Sequence, residues 1–514
     1  LSVEDDFFAV GGQSILATQV MSRIRREFNV NLPLRALFEQ PTIRNTAQHI
    51  DGAISSDDNN IPPIVRIDRD GPLPLSFVQQ QLWLLDQLDP GTPAYNMPVA
   101  LRIRGELNVA AFIESFNAII QRHETLRTNF DSVDGKPTAL IHDVRIWDMA
   151  QRDISSLDAI AREAELKRIV HTQMSMGFDL KFDHLMRGEL IKVSNGPEVE
   201  HAFIGAIHHI VSDGWSLNVM TAELMEFYQA VIDQRSPLLP ELDIQYVDVA
   251  AWQRNWLTGD TLDTHLNYWR NQLDNDGQVL QLQTDYPRPA VMTSNGGVVK
   301  GQIAPRDLAM AQQFAKEEGA TLFMVLVATY QLLLHKYTGQ QRINIGTPIA
   351  GRDTIESERL VGFFINTVVL STELEGAMSG RSLLRQVKEV TLGAYSHQAL
   401  PFEKLVEELR PPRDSSRTPF FQVFLNLLNL PPQSDDNAAL KIEPLSDDDA
   451  HSHAKYDFNL YVSEDGDNGL ELVMVYNTDL YRQDTVERFV TDFTRLLGSI
   501  SAESDKEISN LSLD

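Results

Sequence analysis

Residues 208–214 read His208-His209-Ile210-Val211-Ser212-Asp213-Gly214. Two adjacent imidazoles followed by an aspartate and a glycine are groups that can handle a proton during acyl transfer. The preceding residues 199–207 are apolar and alternating, the pattern of a strand. Neighbouring side chains on a strand face opposite sides, so only one histidine is expected to face a given cavity. Asp213-Gly214 then marks a turn, and residues 215–228 resume a helical pattern. A strand end, a turn and a helix N-terminus bring a base and backbone N–H donors together, which is the arrangement acyl transfer needs. A buried histidine pair beside an aspartate turn is the other reading of the same residues.

Residues 11–14 read Gly11-Gly12-Gln13-Ser14, and Leu16, Val20, Ile24 and Phe28 follow at intervals of four. This is the apolar stripe of an amphipathic helix with Ser14 at or near its N-cap. The free N–H groups and positive dipole end of such a helix suit a phosphate ester on the serine. Simple capping by Ser14 is the plainer alternative.

The longer run Asp5-Asp6-Phe7-Phe8-Ala9-Val10-Gly11-Gly12-Gln13-Ser14-Ile15-Leu16-Ala17 resembles the phosphopantetheine-attachment site of thiolation (peptidyl carrier) domains. The 208–214 run resembles the active-site motif of nonribosomal peptide synthetase condensation domains. Further motifs of that family are recognisable in order. Residues 76–83, Ser76-Phe77-Val78-Gln79-Gln80-Gln81-Leu82-Trp83, look like the opening motif, departing from it at Val78 (usually Ala) and Gln81 (usually Arg). Residues 122–130, 246–252, 346–352 with 362–367, 397–403 and 417–423 look like the others, so the resemblance covers nearly the whole chain.

The resemblance implies an α/β (α+β) chain. A small helical-bundle carrier occupies residues 1–52, lacking the family's first helix, and a linker covers 53–74. A condensation domain with two chloramphenicol-acetyltransferase-like lobes, 75–240 and 241–514, forms a V around a central channel. Alternating strand and helix patterns agree with that class, without fixing topology. The stretch from about 51 to 74 is acidic and polar, then proline-rich, and reads as an extended tether. The run Ser446-Asp447-Asp448-Asp449 reads as a solvated loop.

The resemblance also implies roles. Ser14 carries 4'-phosphopantetheine, whose thiol holds the donor. His209 faces the channel and either takes a proton from the attacking amine or positions it. His208 packs. Asp213 is structural and pairs with Arg352. Gly214 offers its N–H to an oxyanion and leaves room for substrate. Trp215 and Ser216 flank the site, and Asn366 and Gln398 are structural. Expected partners are an upstream adenylation domain, a downstream carrier bearing the aminoacyl acceptor and a phosphopantetheinyl transferase. The run from Asp86 to Asn96 resembles the subgroup that joins an L-configured donor to an L-acceptor. The alternatives are epimerisation of a carrier-bound residue and a non-catalytic recruitment domain, which typically loses the histidine motif. A heterocyclisation domain is disfavoured because that family pattern replaces the histidines with aspartates.

Composition sets outer bounds. The 44 Lys and Arg against 72 Asp and Glu give a net charge of −28, which argues against a nucleic-acid partner. With no cysteine there is no disulfide, thiolate metal site or cysteine nucleophile, which fits a reducing, cytoplasmic setting. No metal constellation is apparent, no stretch approaches the length of an apolar membrane span, and a monomer is expected; the resemblance implies no ATP site, because activation belongs to a separate adenylation domain. No secretory signal is visible, and a chain beginning at Leu1 reads as a fragment.

Overall fold

The computed structural model describes residues 2–8, 10, 14–28, 30, 32, 34–54, 61–195, 199–273, 279–352, 354–428, 440–445 and 453–513. The acidic run at 446–449 therefore lies outside the described residues.

Among the described residues the first 54 hold three helices, Ser14–Phe28, Leu34–Glu39 and Ile43–Ile54. The buried face of the first differs from the expected stripe: Ala17, Met21 and Ile24 are buried, whereas Leu16 and Phe28 are exposed. A four-residue spacing drifts by about 40° per step on a helix of 3.6 residues per turn, so the ends of a long row leave the packed face. The second helix docks on the helix Gly380–Ser396, where Arg35 Nη2 lies 2.9 Å from Glu389 Oε2.

Among the described residues the rest holds two large sheets and a two-stranded one, Thr128–Val133 with Lys136–Ile141. The first runs in the order Lys441–Pro444, Asn96–Arg104, Val199–His208, Met186–Asn195, Ala150–Asp153. The second runs Gly296–Ile303, Leu470–Asn477, Phe458–Glu464, Val423–Leu428, Arg342–Ile349, Asn366–Glu373. The strand Lys441–Pro444 falls within 241–514 yet pairs antiparallel with Asn96–Arg104 of the first sheet. The lobes exchange chain here, covering a sheet edge that would otherwise expose unpaired backbone, so a boundary at 240/241 does not part them cleanly.

In the first lobe, Phe112 and Phe116 of the helix Val109–Arg122 pack their rings 6.1 and 4.8 Å from Phe203 of the central strand. The second motif proves structural: Arg122 Nε and His123 Nε2 each lie 2.8 Å from Glu223, tying that helix to Gly214–Ile232. In the second lobe, the helix Leu322–Thr338 is apolar on nearly every side, and residues 323–334 are all buried. Such a helix belongs inside a core, and it packs between Gln483–Ala502 and Gly380–Ser396. Among the described residues no single helix is long and apolar enough to cross a membrane.

The expected tether is largely fastened. Residues 61–74 are extended but hydrogen-bonded along the body, from Trp252 Nε1 donating to Pro62 O at 2.7 Å to the bridge between Leu73 and Ala139. The anchor is Arg69, which donates to both oxygens of Asp248 at 2.6 and 2.9 Å and to Glu124 at 2.9 Å. Composition announces extension but not these pairings, because the partners lie far away in sequence. Asp248 is fully buried, so removing its cation strands a charge. Arg69→Ala is expected to lower stability by about 3 kcal/mol in urea unfolding, whereas Arg66→Ala, which removes an exposed arginine from a Glu124 still held by Arg69, changes it by less than about 1 kcal/mol.

Candidate functional site at the strand end

The strand Val199–His208 ends at its first histidine, and His209 opens a short 3-10 turn, His209–Val211. The two imidazoles do diverge, but the turn, rather than strand alternation, separates them. His208 is buried at 2% exposure. Its Nδ1 accepts from Ile210 N at 3.1 Å, and its ring packs near Tyr95 and Phe178. Burial lowers its pKa to about 3, helped by the charges of His209 and Arg187. It is a neutral packing group.

His209 is half-buried. Its Nδ1 lies 3.0 Å from Ser212 O. A carbonyl only accepts, so Nδ1 carries the hydrogen and Nε2 holds the lone pair. Among the described residues Nε2 has no hydrogen-bond partner. Loss of bulk water lowers the pKa to about 4, and the Lys455 ammonium pushes the same way against the opposing Ser212 carbonyl and Asp213. The imidazole is therefore neutral at physiological pH.

Asp213 does not touch His209. Its Oδ1 accepts from Ser216 N and Ser216 Oγ, both at 2.7 Å, and from Arg352 Nη2 at 3.0 Å. Its Oδ2 accepts from Phe364 N at 3.0 Å. It caps the helix Gly214–Ile232 while holding a segment of the other lobe. Arg352 also donates to Leu360 O at 2.7 Å and lies 3.9 Å from the Phe364 ring centroid. The same segment is held by Trp215 Nε1 donating to Glu358 O at 2.9 Å and by Gly362 N donating to Ser216 Oγ at 3.0 Å. Two of its glycines are required by space: a Cβ would sit 2.0 Å from Phe364 O at Gly351, where φ is +64°, and 2.0 Å from the Tyr246 ring at Gly362. The outcome is that Phe363 packs its ring 4.8 Å from that of His209.

Gly214 differs from those two glycines. A Cβ there meets nothing within 4 Å, so the fold does not demand glycine, and the position faces open space. It is the first residue of its helix, where N–H groups have no intrahelical acceptor. Asn366 is structural, since its Nδ2 donates to Gln398 O and Leu400 O while Oδ1 accepts from Thr367 N and Phe402 N. Gln398 lines a cavity of about 730 Å³ that runs from Met21, Ser22 and Arg25 of the first helix to Phe363. Ser14 opens the helix Ser14–Phe28, while Gly11, Gly12 and Gln13 lie outside the described residues. Sequence reasoning missed Tyr95, Phe363 and Lys455 around the histidines. Phe363 and Tyr95 sit in recognised runs, 362–367 and 86–96, without any sign that they meet the histidines, and nothing in the pattern marks a lone lysine.

Asp213→Ala removes the partner of a buried cation, so a loss of about 3 to 5 kcal/mol is expected in urea unfolding. The double variant Asp213→Ala with Arg352→Leu is expected to recover part of that loss.

Comparison with known proteins places this geometry. The condensation-domain family matches residues 70–513, and the phosphopantetheine-attachment-site family matches residues 1–50. A linear gramicidin synthase protein of Brevibacillus parabrevis is 41% identical over 514 residues, all of this chain but 7% of that protein. Gramicidin S synthase 2 of Brevibacillus brevis is 33% identical over 513 residues, all of this chain and 11% of that protein. Among solved structures, the X-domain from teicoplanin biosynthesis superposes with a TM-score of 0.76 at 26% identity, covering 88% of this chain and 100% of that one. The first condensation domain of the calcium-dependent antibiotic synthetase, bound to a substrate analogue, superposes at 0.69 with 20% identity, covering 86% and 100%.

Proposed function

The chain belongs to the condensation-domain family, with the carrier unit of a nonribosomal peptide synthetase ahead of that domain, and from this premise we propose that it forms a peptide bond. The donor is an acyl or peptidyl thioester carried at Ser14. The acceptor is the amine of an aminoacyl group on a downstream carrier, and an adenylation domain and a phosphopantetheinyl transferase complete the set of partners.

The carrier family implies covalent phosphopantetheine, which supplies the thiol that holds the acyl group. The chain around Ser14 fits such an ester, because Ser14 begins a 15-residue helix with no acidic residue in its first turn. A phosphate there meets the positive dipole end with no like-charged carboxylate in that turn.

The observation that carries the reading is the open Nε2 of a neutral His209. As the amine nitrogen bonds to the acyl carbon, its proton moves to Nε2, and the same imidazole returns that proton to the departing sulfur. The Gly214 N–H, at the head of its helix, faces the oxygen on which charge collects. Asp213 takes no part in proton transfer, since its oxygens are already committed to four donors. The expected L-donor, L-acceptor preference rests on the resemblance of residues 86–96 alone.

The likeness to the X-domain, a protein also solved in complex with OxyB, supports a second reading, a surface that recruits another enzyme. Epimerisation of the donor is a third. One experiment separates them: Ser14 is loaded with a short peptidyl-pantetheine, an aminoacyl carrier is added, and both are followed by intact mass. Peptide-bond formation predicts an elongated acceptor. His209→Ala is expected to slow transfer by about 10²- to 10⁴-fold. A retained donor of unchanged configuration points to recruitment, and a retained donor with an inverted α-carbon points to epimerisation.

Two further outcomes follow from the geometry. Gly214→Ala is expected to keep stability within about 1 kcal/mol while lowering the transfer rate, because its methyl group enters the open space. For pH, His209 must be neutral and its pKa is about 4. After correction for ionisation of the acceptor amine, the rate is expected to be flat from about pH 8 to about pH 5 and to fall only below that.

A further inference from the structure

Beyond His209, the space between the lobes holds charged groups with no role in the scheme above. Lys455 lies on the segment leading into the strand Phe458–Glu464. Its neighbours fix the backbone: Ala454 N donates to Ser294 O at 3.0 Å and Asp457 N to Gln422 O at 2.9 Å. The Tyr456 ring stacks on Phe424 at 4.7 Å. Lys455 is thereby held across the lobe boundary, with Nζ 5.7 Å from the ring centroid of Tyr95, which lies 6.3 Å from the His208 ring. Among the described residues no carboxylate pairs with it. The nearby carboxylate is Glu403, whose electrostatic influence reaches Tyr95 and Tyr456 and whose buried Oε2 has no partner. Lys455 is exposed to solvent, although the protein around it lowers its ammonium pKa. Its charge is also felt at His209.

An ammonium with no carboxylate in contact keeps its attraction for any negative charge that forms nearby. None of the described side chains supplies one by contact. The reaction does: when the amine lone pair forms the C–N bond, the carbonyl π pair moves to oxygen, and that oxygen carries a full charge until the C–S bond breaks. We infer that Lys455 is a catalytic residue of the channel, its ammonium stabilising the oxyanion from the second lobe while His209 and Gly214 act from the first. Lys455 neither gives nor takes a proton. The proton still passes from nitrogen to Nε2 to sulfur. This rests on the peptide-bond-forming reading.

The test uses the loaded full chain under single-turnover conditions with saturating aminoacyl carrier. Native protein, Lys455→Met, Lys455→Gln and Lys455→Arg are compared. Both charge-removing variants are expected to lose at least tenfold in rate with the half-saturating acceptor concentration within threefold, while Lys455→Arg keeps most of the rate. The acid limb of the pH profile is expected to move up in Lys455→Met and Lys455→Gln, because His209 loses a like-charged neighbour, which reports the nearness of the charge; rescue of the rate by Lys455→Arg separates a charge role from a packing one. A rate within twofold of native in either folded charge-removing variant overturns the inference, as does a loss that Lys455→Arg shares in full. Failure of native protein to elongate the acceptor instead removes the reading on which the inference rests.

Discussion

The carboxylate of Asp213 is the constraint on which the site depends. It is completely buried, and four donors from both lobes converge on it. A buried carboxylate cannot tolerate losing any of them cheaply. Each donor is attached to something that must be placed: Ser216 fixes the start of a helix, Arg352 the end of a strand, and Phe364 N the crossing segment. Because Phe364 is pinned, its neighbour Phe363 packs on His209. Because the helix starts where it does, Gly214 faces open space. Buried ion pairs contribute little net stability against apolar replacements, and this one is better understood as fixing a single alignment of the lobes.

His209 is the complement of that constraint, the imidazole left without a carboxylate. A Ser-His-Asp arrangement would hold an aspartate on Nδ1 and raise basicity. Here burial and a nearby lysine lower basicity, against the backbone carbonyl that holds Nδ1. A weak base is a strong conjugate acid. On the proposed reaction it takes the proton only once the amine has begun to bond and its acidity has risen, then releases it readily to sulfur. On that proposal the amine is positioned through Nε2 before its proton moves, so both roles fall to one atom.

Much of this was legible in the sequence because motif residues answer local needs. Gly351 and Gly362 have no room for a Cβ, and Asp213 must cap a helix. The Arg122-His123 pair serves one buried glutamate. What stayed hidden depends on long-range pairing. Residues 61–74 read as a tether because their partners, Asp248 and Glu124, are named nowhere in the local pattern. The strand Lys441–Pro444 joins the opposite sheet because an edge needed covering, which a boundary drawn by position cannot anticipate. The stripe after Ser14 misplaced Leu16 and Phe28 because a four-residue period slowly leaves the buried face. Lys455 carried no signal at all, since its meaning comes from Tyr95 and His209 across the lobe boundary.

The central claim is that His209 is neutral, with its lone pair on Nε2, while Asp213 serves structure alone. The most direct measurement is ¹⁵N-detected NMR of protein labelled at histidine, with the His209 signals assigned by loss in His209→Ala, recorded from about pH 4 to pH 8. The account predicts a hydrogen on Nδ1, a pyridine-like Nε2 and no titration above about pH 5. A midpoint near the ordinary histidine value of about 6.5, or a hydrogen resident on Nε2 at neutral pH, would contradict it.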